Sequence, residues 1–341
     1  MRLLVRPPTV VVVQRPASDL KEGPMRPARP KRDRTRMRSL DPGARGKRHP
    51  IWRSSAAIIA VAAALSMGGG ILPASGAGID DGPFYLSLGD SLATGFQPGR
   101  GSTRHGYVEG LWRTVREHSP DLELKKLGCP GESSASMISG EDSLCDYAAG
   151  SQLDAAVKFL ERHPGEVSFI TIDVGANDVV DACLDFDSGL LHRACVIALL
   201  PRLTTRITES LAALGAAAGP DVPILGMNYH VPFLGLWGLV PRGRHLARVD
   251  ARAFEALNDG LESTYGDAGV TVADVARTYQ TDNFTDTVVI RDRGRLPVNV
   301  ALACRWTWFC SDRYFGDPHP NRTGYARVAR TFYRELRSLL P

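Results

Sequence analysis

The sequence predicts an α/β fold over residues 78–341: a mainly parallel sheet in three layers, with helices on both faces. Three observations point there. Short apolar runs rich in β-branched residues, 167–174 the clearest, alternate with stretches whose apolar residues recur at helical spacing. The first three of these runs end in glycine turns at Gly89, Gly128 and Gly175. No internal repeat divides the region, so the alternation belongs to one domain joined by right-handed crossovers.

In chain order, 84–88 is a short buried strand ending in Gly89-Asp90-Ser91, and 106–118 is a helix with Val108, Leu111, Trp112 and Val115 on one face. A strand at 122–127 leads into Gly128-Cys129-Pro130-Gly131. A helix at 152–163, with Leu153, Ala156, Val157 and Leu160 aligned, precedes the strand at 167–174. The pattern continues with a helix at 198–218, a strand at 223–229, a helix at 244–265, a strand at 270–275 and a last helix at 321–340. Two stretches, 178–193 and 278–315, read as helix-poor loops; they hold or border four of the six cysteines and are expected to be pinned over one end of the sheet. In such sheets ligands bind outside the carboxyl ends of the strands, where Ser91 falls.

Charge is segregated along the chain. Residues 1–53 carry 15 Lys and Arg against 4 Asp and Glu, residues 54–77 carry no charge, and 78–341 hold 26 basic and 33 acidic side chains. An acidic body gives no footprint for nucleic-acid binding. The region 1–53, rich in Arg and Pro without apolar periodicity, is expected to be disordered, and Met25 and Met37 are alternative starts. The uncharged stretch 54–77 has the order basic, apolar, small, with Ser75 and Ala77 at the −3 and −1 positions of a secretory cleavage site. Export is therefore expected. A retained membrane anchor is the alternative reading, although the apolar run is shorter than the about 20 residues of a span and is broken by Gly68, Gly69 and Gly70.

All six cysteines follow that stretch: Cys129, Cys145, Cys183, Cys195, Cys304 and Cys310. An even count in an exported chain argues for disulfides, and the absence of C-x-x-C argues against zinc. The sequential pairing, 129–145, 183–195 and 304–310, closes the shortest loops.

Four segments carry groups suited to acyl transfer. Ser91 follows a strand end within LSLGDSLATGF, as a nucleophile or as a helix cap. Gly131, within GCPGESS, lets the main chain approach an oxyanion because it has no Cβ. Asn177, in Gly175-Ala176-Asn177-Asp178, offers a neutral N–H donor to the same oxyanion. His319, in DPHPNRTGYA before the last helix, can take a proton from Ser91 and return it to a leaving group if Asp317 orients its ring.

These four blocks in this order resemble the SGNH (GDSL) hydrolase family. The resemblance covers most of 84–338, and GCPGESS, TIDVGANDV, GMNYHVPFLGLW and RWTWFC are similar to the secreted actinobacterial lipases and esterases with three disulfides. It implies the flavodoxin-like SGNH-hydrolase fold and a secreted serine esterase or lipase. Ser91 would attack an ester carbonyl and His319 would act as base and then acid. The Ser91 and Gly131 backbone N–H groups and the Asn177 side chain would hold the oxyanion. No metal or cofactor is implied. The expected partner is a small-molecule or lipid ester, met by a monomer with transient membrane or cell-wall contact. A carbohydrate acetylesterase, or a cell-surface binding protein on the same fold, is the competing reading.

Two positions depart from the family. The acid commonly found three residues before the histidine is replaced by Gly316, so the ring is oriented either by Asp317 or by the Gly316 carbonyl. Lys126 stands where the family often has Asn and is expected to alter local hydrogen bonding only. The apolar stretch 231–237 reads equally as acyl pocket or packing, and 305–309 as site wall or loop core. His105, His163, His230 and His245 lack ligand spacing and read as surface or satisfied side chains.

Overall fold

A computed structural model describes residues 83–291 and 293–339. The basic region 1–53 and the apolar segment 54–77 expected from the sequence lie outside the described residues. Strand β1 (Phe84–Ser87) runs into helix α1 (Ser91–Thr94), followed by α2 (Tyr107–Val115), β2 (Glu123–Lys126), α3 (Ser134–Ser139), α4 (Gln152–Arg162) and β3 (Val167–Ile172). Next come α5 (Ala176–Cys183), the two-residue strands β4 (Leu184–Asp185) and β5 (Leu190–Leu191), α6 (Arg193–Ala218) and β6 (Ile224–Met227). A 3₁₀ segment, Pro232–Gly238, leads to α7 (Gly243–Asp267), β7 (Thr271–Ala273) and α8 (Val275–Thr278). The chain closes with β8 (Thr287–Ile290), β9 (Gly294–Pro297), α9 (Val298–Trp306) and α10 (Arg322–Leu336).

Five strands form one parallel sheet in the order β2-β1-β3-β6-β7, with Leu86 opposite Ile170 and Ile172 opposite Gly226. Helices cover both faces, α2 packing on α10, and α6 on both α4 and α7. That is the three-layer fold expected. Every residue of β3 is buried, which explains its largely apolar and β-branched character, whereas the edge strand β2 is mostly polar and partly exposed. The strand order reverses between β1 and β3, and the crevice outside their carboxyl ends is where Ser91 lies.

The two stretches expected to be helix-poor are corrected. Region 278–315 contains α9 and the hairpin β8–β9, and region 178–193 contains most of α5 and the hairpin β4–β5. Helix α9 escapes periodicity because Val298, Val300, Ala301, Leu302 and Ala303 make it apolar around most of its girth. Helix α6 begins at Arg193, five residues earlier than its pattern suggested, and holds Pro201 inside it. Pro201 frees the carbonyl of Ile197, which lies on an exposed side of the helix where water can satisfy it. The three disulfides are Cys129–Cys145, Cys183–Cys195 and Cys304–Cys310, the sequential set.

Candidate active site

The turn after β1 is shaped by Gly89, whose φ of +140° few side-chain-bearing residues adopt. Gln152, at the start of α4, clamps it: the side-chain oxygen accepts the Gly89 N–H at 2.6 Å and the amide donates to the Gly89 carbonyl at 3.1 Å. Asp90, not Ser91, is the helix cap, its Oδ1 accepting the Leu92 N–H at 2.7 Å. Its Oδ2 accepts from the Tyr229 hydroxyl at 3.0 Å. With capping assigned to Asp90, the Ser91 hydroxyl is left to face His319.

A hydrogen-bonded chain joins the three residues expected to act together. His319 Nε2 lies 2.9 Å from Ser91 Oγ, and His319 Nδ1 lies 2.9 Å from Asp317 Oδ1. The same Oδ1 accepts the His319 backbone N–H at 3.0 Å, which is how a carboxylate only two residues away reaches the ring. Between Asp317 and the Gly316 carbonyl, the carboxylate is the group at Nδ1. Gly316 has φ +85° and donates its N–H to the Phe309 carbonyl at 3.0 Å.

The segment bearing His319 is held on several sides. Trp308 donates its backbone N–H to the His319 carbonyl at 3.0 Å, and the Phe96 ring lies against the imidazole with centroids 4.5 Å apart. Beneath, His230 Nε2 lies 3.1 Å from the Pro318 carbonyl. Burial holds the pKa of His230 down to about 4, so its ring is neutral at ordinary pH, and only a protonated Nε2 can donate to that carbonyl. From the sequence His230 reads as a surface or satisfied side chain, and it is a buried one with a partner at Nε2; its link to the His319 segment was not anticipated. Its position just past the β6 strand end, where site residues gather, was the available signal.

Asn177 occupies the first turn of α5 and lines the same pocket as Ser91 and His319. One of its amide hydrogens goes to the Glu132 carbonyl at 2.9 Å, leaving the other for a ligand. Gly131 precedes that carbonyl in a turn with φ +78°, and the Cys129 N–H, bonded to the Gly89 carbonyl at 3.0 Å, lays the turn along the Ser91 segment. Asp178 locks the two segments together by accepting the Ser134 N–H at 2.8 Å and its hydroxyl at 2.5 Å. That brace was not anticipated.

Glu132, buried beside this turn, has its pKa raised by desolvation, and its carboxyl accepts from Ser143 at 3.1 Å and Gln152 at 3.0 Å. Lys126 bonds Glu109 at 2.6 Å and the carbonyls of Thr94 and Thr103, which is the local hydrogen-bonding role expected of it. The pocket over Ser91 holds about 130 Å³ and is walled by Val180, Phe233 and Phe254. Of the stretch 231–237, Pro232 and Phe233 therefore line the pocket, while Trp237 packs on Phe284. Within 305–309, Trp308 supports His319 and Phe309 is core, packed on Phe233. His163 bonds Glu166 and His105 meets Arg322, both apart from this pocket.

Comparison with solved structures returns matches at low identity. Phospholipase A1 from Streptomyces albidoflavus NA297 is 15% identical with a TM-score of 0.44, the match covering 75% of this chain and 99% of that one. An extracellular lipase from Streptomyces rimosus is 16% identical with a TM-score of 0.46, covering 75% and 99%. The psychrotrophic esterase EstA from Pseudoalteromonas sp. is 14% identical with a TM-score of 0.41, covering 75% and 97%. None of the curated proteins matches. The model of the GDSL-like lipase/acylhydrolase family matches residues 87–327, and the chain belongs to that family.

Proposed function

We propose that the protein is an exported serine hydrolase of carboxylic esters, of the secreted three-disulfide SGNH branch. The observation that carries the reading is the chain Asp317–His319–Ser91, with both links at 2.9 Å. Ser91 Oγ attacks the carbonyl carbon while its proton passes to His319 Nε2. The resulting oxyanion is received by the Ser91 and Gly131 backbone N–H groups and the free Asn177 N–H. The carbon–oxygen bond to the alcohol then breaks as His319 returns the proton to the leaving oxygen. Water, deprotonated by His319, cleaves the acyl-enzyme in the same way. Asp317 holds the Nδ1–H tautomer and stabilises the imidazolium between steps.

The apolar walls at Val180, Phe233 and Phe254 suit an acyl chain, and about 130 Å³ suits a short one. The same small volume favours, as a second reading, removal of acetyl groups from a carbohydrate. The six cysteines, paired in the described residues, support an extracellular setting. Among the described residues no helix is long and apolar enough to cross a membrane.

Hydrolysis of p-nitrophenyl esters from acetate to palmitate by the purified protein, beside Ser91→Ala, tests the reading. Turnover lost in Ser91→Ala, with a preference for short chains, is the expected result. Equal, negligible rates from both proteins on every ester would overturn it in favour of a binding protein.

A further inference from the structure

The ester-hydrolase reading needs N–H donors from Ser91, Gly131 and Asn177 to converge on one oxyanion, and the inference here rests on that reading. These donors come from three chain segments, and a misplacement of about 1 Å in such a site can cost about 10²-fold in rate. The segments must therefore be held in register. One buried side chain lies where they meet.

Gln152 opens α4, and because the Ser151 hydroxyl caps that helix by accepting the Asp154 N–H at 3.0 Å, the Gln152 side chain has no capping duty. It is wholly buried. Its oxygen accepts the Gly89 N–H at 2.6 Å, and its amide nitrogen donates toward the Gly89 carbonyl at 3.1 Å, Glu132 Oε2 at 3.0 Å and the Tyr147 hydroxyl oxygen at 3.1 Å.

Each of the first three contacts leads to an oxyanion donor. Gly89 stands two residues before Ser91, and Glu132 directly follows Gly131. The Glu132 carbonyl accepts one amide hydrogen of Asn177 at 2.9 Å, which fixes the direction of the other. Behind Glu132, the Ser143 hydroxyl donates to the same Oε2 at 3.1 Å from within the loop closed by Cys129–Cys145. Gln152 does not line the pocket over Ser91, so it acts through the segments it joins.

The residue type follows from what it meets. Gly89 presents a donor and an acceptor, and Glu132 presents a buried acceptor, a set that a primary amide satisfies. A hydrocarbon side chain would leave the buried Gly89 N–H unpaired, and a carboxylate would face the Glu132 carboxyl with no hydrogen between them.

We propose that Gln152 is a positioning residue of ester hydrolysis, holding the Gly89–Ser91 turn against the Gly131–Glu132 turn so that the three N–H donors share one oxyanion.

The first test is Gln152→Met, similar in length but unable to hold Gly89 and Glu132 together. With p-nitrophenyl butyrate, kcat is expected to fall about tenfold to hundredfold with KM within about twofold of wild type, a smaller loss than outright removal of an oxyanion donor. Butylboronic acid, which adds to the serine as a tetrahedral anion, should bind more weakly by the factor that kcat/KM loses, because its oxygen sits where the oxyanion forms. A merely structural defect would lower the fraction of active protein and leave the boronate affinity of the folded fraction unchanged.

A second variant guards against misfolding of the first. Gln152→Glu keeps the shape and should lower kcat; adding Glu132→Gln restores an N–H···O link with donor and acceptor exchanged and should recover about fivefold, the scale of one hydrogen bond. A kcat within about twofold of wild type in both single variants, or a boronate affinity unmoved while kcat falls, overturns the proposal. Turnover lost in Ser91→Ala but kept in the Gln152 variants removes this inference alone, whereas a wild-type protein that cleaves no ester removes the hydrolase reading and the inference with it.

Discussion

Gly89 and Asp173 exclude any side chain between them: a Cβ built on Gly89 would lie 2.0 Å from Asp173 Oδ1 and 2.7 Å from the Asp173 carbonyl oxygen. The glycine before the Asp90–Ser91 segment is therefore demanded by the end of β3 as well as by its own backbone. Asp90 N–H donates to that same carbonyl at 3.1 Å, so the two strand ends are fastened where Ser91 begins.

Gly89→Ala is accordingly expected to cost about 3 kcal/mol or more, from strain at positive φ and displacement of a buried carboxyl. Denaturant titration beside the wild-type protein checks this. A loss under 1 kcal/mol, which is about a fivefold change in the folding equilibrium, would show that β3 gives way easily.

Asp173 is fully buried, with Oδ1 accepting from the Tyr107 hydroxyl at 2.7 Å and Oδ2 lacking a partner among the described residues. Burial and the nearby Asp90 charge push its pKa well above the usual carboxylate range, which favours the protonated form. Asp173→Asn, a neutral shape match, should keep turnover within about threefold of wild type, whereas Asp173→Leu leaves the Tyr107 hydroxyl unpaired and should destabilise by about 1–3 kcal/mol. Thermal melts with steady-state kinetics measure both, and a collapse of activity in the Asn variant would mean that a charge is needed there.

Asp317→Asn preserves size but donates toward Nδ1 or leaves it without an acceptor, favouring the wrong imidazole tautomer. A fall in kcat approaching 10⁴-fold is expected, with KM little changed. Near-normal kcat would pass the orienting role to the Gly316 carbonyl.

His230 supports the segment bearing His319 through the Pro318 carbonyl and titrates differently in the two states of the chain. Unfolded, it takes a proton near the usual pH of about 6.5; folded, burial delays protonation to about pH 4. Between these values the unfolded chain binds more protons, so this contribution to stability is complete above the higher pH and is lost as pH falls through the window. His230→Gln, which keeps a side-chain donor without a titrating ring, should lose less stability than wild type on acidification, by up to about 3 kcal/mol. Chemical denaturation at neutral pH and near pH 4 reads the difference; parallel curves would refute it.

Much of this was legible in sequence where a residue type answers to a local cause. The run 167–174 is β-branched because β3 is buried on both faces, and 152–163 keeps its spacing because α4 buries one side only. Helix α9 was missed for the opposite reason, since an element apolar nearly all round has no period to read.

The sequence by itself pointed to the alternating architecture, to the sequential disulfide pairing as the preferred one, and to Ser91, Asn177, Asp317 and His319 as candidates, because patterning, loop length and residue chemistry are local properties. Tertiary structure alone decided the rest. It chose Asp317 over Gly316 at His319 Nδ1, gave the helix cap to Asp90 and set His230 beneath Pro318. Such choices depend on distances between segments up to 228 residues apart, as for Ser91 and His319. Only the closing of the sheet and its loops fixes those distances.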